Sequence, residues 1–217
     1  MWSIEAELSV QLAIIHLDGL RVKEEKKAFI ELTDLAKTYQ VRFADVPISE
    51  IPGVQASRSF FRAIGLDPTK RRPSSEALLN RALKDKELYS VNALVDVGNW
   101  CSLDFLLPIC VYDAARIHPP VTMRLGRAGE SYAGLNDQDI HLEGRYCLAD
   151  AEGPFGSPVT DSVRTSVTTA TREAWLVIFA PREFDRILLH RHADLFAQRV
   201  LEICGGQLQL LHLIPSL

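Results

Sequence analysis

The residues best suited to chemistry in this sequence are cations. Residues 58–86 hold eight basic side chains (Arg58, Arg62, Lys70, Arg71, Arg72, Arg81, Lys84, Lys86) against three acidic ones, Asp67, Glu76 and Asp85. That local excess of five positive charges stands inside a chain whose formal net charge is −4. Lys and Arg crowded together can replace the counterions of a nucleic-acid backbone, so Arg58, Arg62, Lys70, Arg71 and Arg72 are the candidate RNA contacts. The competing reading of the same residues is a solvated helix face. The acidic chain as a whole is no general attractor for nucleic acid.

Other chemistries lack their residues. Cys101, Cys110, Cys147 and Cys204 form no C-x-x-C pair and read as buried free thiols in a reducing cytoplasm. His190 and His192, two apart, point to different sides of a helix and make a poor metal pair, so no metal and no cofactor is expected. No phosphate-cradling loop, H-E-x-x-H or G-x-S-x-G occurs, and Gly126-Arg127-Ala128-Gly129 is too short for a dinucleotide loop. The acidic residues 1–7 lack the basic start of a signal peptide. No apolar run approaches the roughly 20 residues of a membrane helix, so a cytoplasmic protein without a membrane partner is expected.

Helices and strands must position these groups. Residues 7–22 read as strand–turn–strand about Asp18-Gly19. Residues 24–43 put Phe29, Leu32, Leu35 and Ala36 at helical spacing, with Glu24 and Glu25 in the first turn, where the helix dipole favours negative charge. Pro47, Pro52 and Gly53 mark a connector. Phe60, Phe61 and Ile64 form an apolar stripe with Arg58 and Arg62 on another side, and Gly65 ends that helix. Ser74 suits the N-cap of the next, where Leu78 with Ala82 and Leu79 with Leu83 keep i, i+4 spacing. A connector, a second helix and a short apolar run ending at Tyr112-Asp113 follow. Residues 121–125, 146–148 and 174–179 read as strands, and 151–171 as mostly loop. Beyond Pro181, helical periodicity from Phe184 to Leu201 gives one long helix ending at Gly205-Gly206. Early helices, later strands and a last helix make the fold class α+β.

Several blocks, in order, resemble a known family. They are Arg72-Pro73-Ser74-Ser75-Glu76-Ala77-Leu78-Leu79, Val91-Asn92-Ala93-Leu94-Val95-Asp96-Val97-Gly98-Asn99 and Leu107-Pro108-Ile109-Cys110-Val111-Tyr112-Asp113. Met123-Arg124-Leu125, Gly129-Glu130 and Gly144-Arg145-Tyr146-Cys147-Leu148-Ala149-Asp150 continue the series. Together they resemble the B3/B4 domain, found in the β subunit of bacterial phenylalanyl-tRNA synthetase and as free-standing proteins. The resemblance covers about residues 58–180. It implies one domain over residues 1–217, an unusual β-sandwich flanked by helices, with an N-terminal strand–helix extension and a C-terminal helix. In the synthetase this domain removes tyrosine wrongly attached to phenylalanine tRNA, with water and the terminal ribose activated by positioning rather than by a protein nucleophile. The implied partner is therefore tRNA at its aminoacylated 3′ end, and the implied reaction is hydrolysis of mischarged aminoacyl-tRNA in trans. The alternatives are an RNA-binding module without catalysis and a small-molecule pocket that kept the fold.

Carried over position by position, the resemblance gives Asp96 and Asn99 on one helical face as candidate substrate contacts. Their competing reading is capping. Cys110 falls where the synthetase pattern has a histidine near the editing pocket, which removes an imidazole, as free-standing relatives also tend to do. No base that would activate a Cys110 thiolate is visible in sequence. Asp161, Ser162, Thr165 and Thr168 are candidates for the pocket mouth, against loop hydrogen bonding. Arg124 and Glu130 match an element read as structural. The editing glutamate of the synthetase falls near residues 175–177, where this chain has no acid; Glu173 is the nearest.

Overall fold

The two runs with least polar alternation, residues 10–18 and 174–181, form the central strands of the molecule. Both of their faces are covered, so neither needs a solvent side. The computed structural model describes residues 2–135 and 138–215. In chain order these fold as β1 (Trp2–Ile4), β2 (Val10–Asp18), α1 (Lys27–Arg42), α2 (Val54–Ala63), α3 (Ser74–Leu83) and α4 (Ala93–Phe105). Next come β3 (Ile109–Asp113), β4 (Val121–Leu125), β5 (Ser131–Ala133), β6 (Asp139–His141), β7 (Tyr146–Asp150) and β8 (Gly153–Gly156). β9 (Ala174–Pro181), α5 (Arg186–Cys204) and β10 (Gln207–Pro215) complete the α+β fold.

One sheet runs β10-β2-β9-β3 with antiparallel neighbours throughout; the other runs β1-β4-β7-β8, with β1 and β4 parallel. The period-2 pleat sends Leu12 and Ile14 of β2 to one side and Ala13, Ile15 and Leu17 to the other. The first set joins Cys110, Tyr112, Val177 and Phe179 against Val121, Met123, Leu148 and Phe155 of the second sheet, sealed by Phe60 and Phe61 of α2. The second set packs on Val97 and Cys101 of α4 and on Leu189, Ala193, Phe196 and Val200 of α5. Each fully buried Leu, Ile or Phe contributes about 1.5–3 kcal/mol, so this doubly covered sheet is the rigid frame. A third cluster, with Leu32, Ile51, Val54, Leu79 and Leu103, joins α1 to α3 and α4.

Three local expectations are corrected and one unassigned segment is filled. Asp18-Gly19 makes no hairpin. Gly19 does turn the chain, at φ +65°, but Leu20 N–H then bonds the carbonyl of Arg172 and Arg21 N–H that of Cys204. The partners of β2 are β9 and β10. Glu24 and Glu25 precede α1, whose first turn holds no acid. Ser74 is the first residue inside α3 rather than its cap; Pro73 holds the cap position and no side chain caps the turn. Residues 207–215, unassigned in sequence, form edge strand β10. Among the described residues no helix is long and apolar enough to cross a membrane.

Candidate functional site

Strand β3 sits at the edge of its sheet and carries Cys110 and Tyr112 on the sandwich side. Chain leaving β8 folds back over that face. Ser157 builds this turn, accepting from the N–H groups of Val159 and Thr160 at 3.3 and 3.0 Å and donating to the Thr160 carbonyl at 2.9 Å. Two side-chain bonds tie it to β3. The Tyr112 hydroxyl donates to Asp161 Oδ1 at 2.7 Å, and the Cys110 thiol donates to the Ser157 carbonyl at 3.6 Å. Tyr112 is locked edge-on against Phe155 with ring centroids 5.1 Å apart. Gly156 is required here, because a Cβ at that position would lie 2.4 Å from the Tyr112 hydroxyl oxygen.

The result is a cleft of about 250 Å³ with Ile109, Leu135, Pro158 and Val159 as apolar walls and Cys110, Asp161 and Ser74 among its polar groups. Burial pushes the Asp161 carboxyl up to about 6, outweighing the hydrogen bond from Tyr112 that favours its charge. Burial also holds the Cys110 thiol well above its ordinary value, and the Asp161 charge adds to this. Cys110 is therefore a neutral thiol and no nucleophile.

Beside the cleft, sharing Ser157, Val159 and Thr160 with it, runs a groove of about 390 Å³. Arg71 and Arg145 line it, with Leu66, Leu142 and Tyr146 as apolar wall. Arg62, Lys70, Arg71 and Arg72 are exposed, as a phosphate contact must be. Arg58 is a correction. Its Nε and Nη2 donate to the two carboxylate oxygens of Glu76, each at 2.8 Å, with the side chains only 15% and 1% exposed. Arg72 Nε stands 3.4 Å from the same carboxylate. Arg58 is thus spent on an internal ion pair that joins α2 to α3, and sequence counting credited it to the surface.

The remaining sequence candidates lie outside the cleft lining. Buried Asp96 accepts from Ser90 Oγ at 2.6 Å and Val91 N–H at 2.9 Å, fastening the entry of α4 beside the Asn92 cap. Asn99 lies half-buried one turn further along α4. Ser162 and Thr165 are buried, their hydroxyls 3.2 Å apart and Thr165 Oγ1 donating to the Phe155 carbonyl. Thr168 is exposed and its hydroxyl accepts from Ala170 N–H. Arg124 and Glu130 form a two-pronged pair at 2.8 Å, which holds the Glu130 carboxyl down to about 2. Glu173 sits 2.6 Å from His16 Nε2, and Val177, at the expected glutamate position, is a core residue paired with Cys110 across the sheet. His190 bonds Asp194 whereas His192 stacks on Phe105, so the two rings face different neighbours. Tyr112, Arg145 and Ser157 had no separate role in the sequence, and Ser157 lay in no matched block. Tyr112 and Arg145 lay inside matched blocks, and that was their only signal.

A family model, the B3/4 domain, matches residues 56–205. The chain belongs to the B3/4 domain family. The matched residues take in α5. This B3/4 domain is 26% identical over 197 residues to the phenylalanine–tRNA ligase β subunit of Brucella abortus (strain 2308), covering 78% of this chain and 24% of the subunit. It is 31% identical over 156 residues to the corresponding subunit of Chromobacterium violaceum, covering 60% and 20%. The chain thus spans about a quarter of the length of the curated relatives it matches. An N-terminal fragment of the phenylalanyl-tRNA synthetase β-subunit from Pyrococcus horikoshii superposes with a TM-score of 0.49 at 14% identity, covering 96% of this chain and 50% of that one.

Proposed function

We propose that this B3/4 domain receives the aminoacylated 3′ end of a tRNA and hydrolyses the ester in trans. The observation that carries the reading is adjacency: a cleft of about 250 Å³, with room for an aminoacyl group, opens beside a groove lined by Arg71 and Arg145. In this arrangement the aminoacyl group enters the cleft at Asp161 and Cys110, and the terminal phosphates lie toward the arginines. Water adds to the ester carbonyl, the bond to the ribose oxygen breaks, and that oxygen takes a proton as the free amino acid leaves. The protein contributes position and exclusion of bulk water, which suits a site whose only thiol stays protonated.

The test is release of amino acid from a panel of mischarged tRNAs by purified protein. Release faster than the uncatalysed rate supports the reading; none at saturating protein rejects it. A second reading, binding without catalysis, draws on the absence of any acid at residues 175–177. It predicts tight, salt-dependent tRNA binding with no release. Under both readings Arg71→Ala flattens the salt dependence, lowering its slope by about 0.7 per lost single-strand phosphate contact.

A further inference from the structure

Asp161 is a carboxylate without a cation. Its Oδ1 accepts from Tyr112 at 2.7 Å. Among the described residues no Lys, Arg or His stands in a salt bridge with it. Apart from Asp18, whose buried Oδ1 also lacks a partner, the carboxylates enclosed in this fold are matched. Glu76 has Arg58 and Asp150 has Arg164 at 2.9 Å, while Asp96 takes a donor on each oxygen. Asp161 differs also in place, since it borders an open cleft with Ile109, Leu135, Pro158 and Val159 among its walls. An ionised carboxylate among apolar groups is costly until a cation or further donors reach it.

We infer that Asp161 is the recognition carboxylate of the cleft, and that the ligand it takes presents a primary ammonium group next to a compact apolar side chain. On the proposed function, which this inference rests on for its substrate, that ammonium is the α-amino group of the aminoacyl ester. The space agrees, because about 250 Å³ is below the roughly 300–1,000 Å³ of sites for drug-sized ligands. The groups facing Asp161 are Cys110 and Tyr112 from β3 and Tyr132 from β5. Burial raises all three, so they stay neutral around neutral pH and bring no positive charge of their own. Asp161 is then the group that titrates, near pH 6, and ammonium binding weakens below that point.

The experiment is calorimetric titration of the full chain with amino-acid amides and their N-acetylated counterparts, at pH 7.5 and pH 5. Amides of small apolar amino acids are expected to bind, the acetylated forms at least tenfold more weakly. Affinity is expected to drop about tenfold at pH 5, one unit below the Asp161 titration. Asp161→Asn keeps an oxygen for the Tyr112 hydroxyl, so it should fold and yet bind the amides at least tenfold more weakly. Equal binding of acetylated forms, an unaffected Asp161→Asn, or no binding of any amide by the wild type each overturns the assignment. A parallel deacylation assay with free and N-acetylated aminoacyl-tRNA separates the two claims. Equal hydrolysis of both sinks the role of Asp161 and spares the proposed function; amide binding without any action on tRNA does the reverse.

Discussion

The ion pair between Arg58 and Glu76 decides how much of the basic segment is free to meet a phosphate, and it can be broken from either side. Removing Arg58 leaves the Glu76 carboxylate, 1% exposed, with only Arg72, whose Nε is 3.4 Å away on a side chain 47% exposed. Loss of one member of a buried pair costs about 3–5 kcal/mol, and the residual Arg72 contact argues for the lower end. At about 2–4 °C per kcal/mol for a domain of this size, Arg58→Ala should lower Tm by roughly 6–12 °C. Replacing both partners, Arg58→Met with Glu76→Leu, leaves no buried charge and should return most of that loss. Thermal and urea unfolding of the two single variants and the double variant measure the coupling directly. In tRNA titrations well below Tm, Arg58→Ala should leave the salt slope nearly unchanged, unlike Arg71→Ala. The reasoning is refuted if Arg58→Ala unfolds within about 2 °C of the wild type and flattens the salt slope as much as Arg71→Ala does. The guanidinium would then serve the ligand and not the fold.

Two further predictions concern pH. The Asp161 carboxyl is raised from 3.8 to about 6 in the folded state, so the native protein holds a proton that the unfolded chain releases earlier. Stability should therefore fall as pH rises from about 4 through 6 and level off above, by at most about 3 kcal/mol. Asp161→Asn should remove that slope and be the more stable protein at pH 7; identical Tm–pH curves for the two would count against burial raising the Asp161 carboxyl. Glu130 works in the opposite sense. Arg124 holds its carboxyl at about 2 against 4.5, so its contribution is full above about pH 4.5 and disappears as pH falls through 2. Acid unfolding of Glu130→Gln should begin from a lower plateau, with up to about 3 kcal/mol less to lose, and an unchanged plateau would show the pair to be a surface contact.

What could be read from sequence follows where local and tertiary forces agree. Strand β9 and helices α3 and α4 were legible because burial pattern and spacing point the same way, and the core confirms their apolar faces. At Asp18-Gly19 the local signal was genuine, yet the backbone partners of the next two residues come from residues 172 and 204, which no local rule reaches. β10 is an edge strand with Leu208 and Leu210 exposed and Leu211 and Leu213 only partly buried, so its own apolar stripe is weak and its pairing with β2 places it. In the site, the charge count found the right region but could not tell that Glu76 removes Arg58, because their helices meet only in the fold. Cys110 and Asp161 were candidates through the order of family blocks. Their contact through Tyr112 and Ser157 joins segments nearly fifty residues apart in sequence.

The position of that contact explains why a cleft exists there at all. β9 has strands on both sides, whereas β3 is the last strand of its sheet, and the turn after β8 is tied to it by side chains rather than by a backbone ladder. A turn pinned by two side-chain bonds leaves space that a hydrogen-bonded ladder would close. Phe155 and Tyr112, both fully buried behind Asp161 and Cys110, are packed too tightly to shift into that space. Asp161 thus stays beside the cleft although burial works against its charge. Stability given up at one partly buried carboxylate is the expected signature of a residue kept for a ligand.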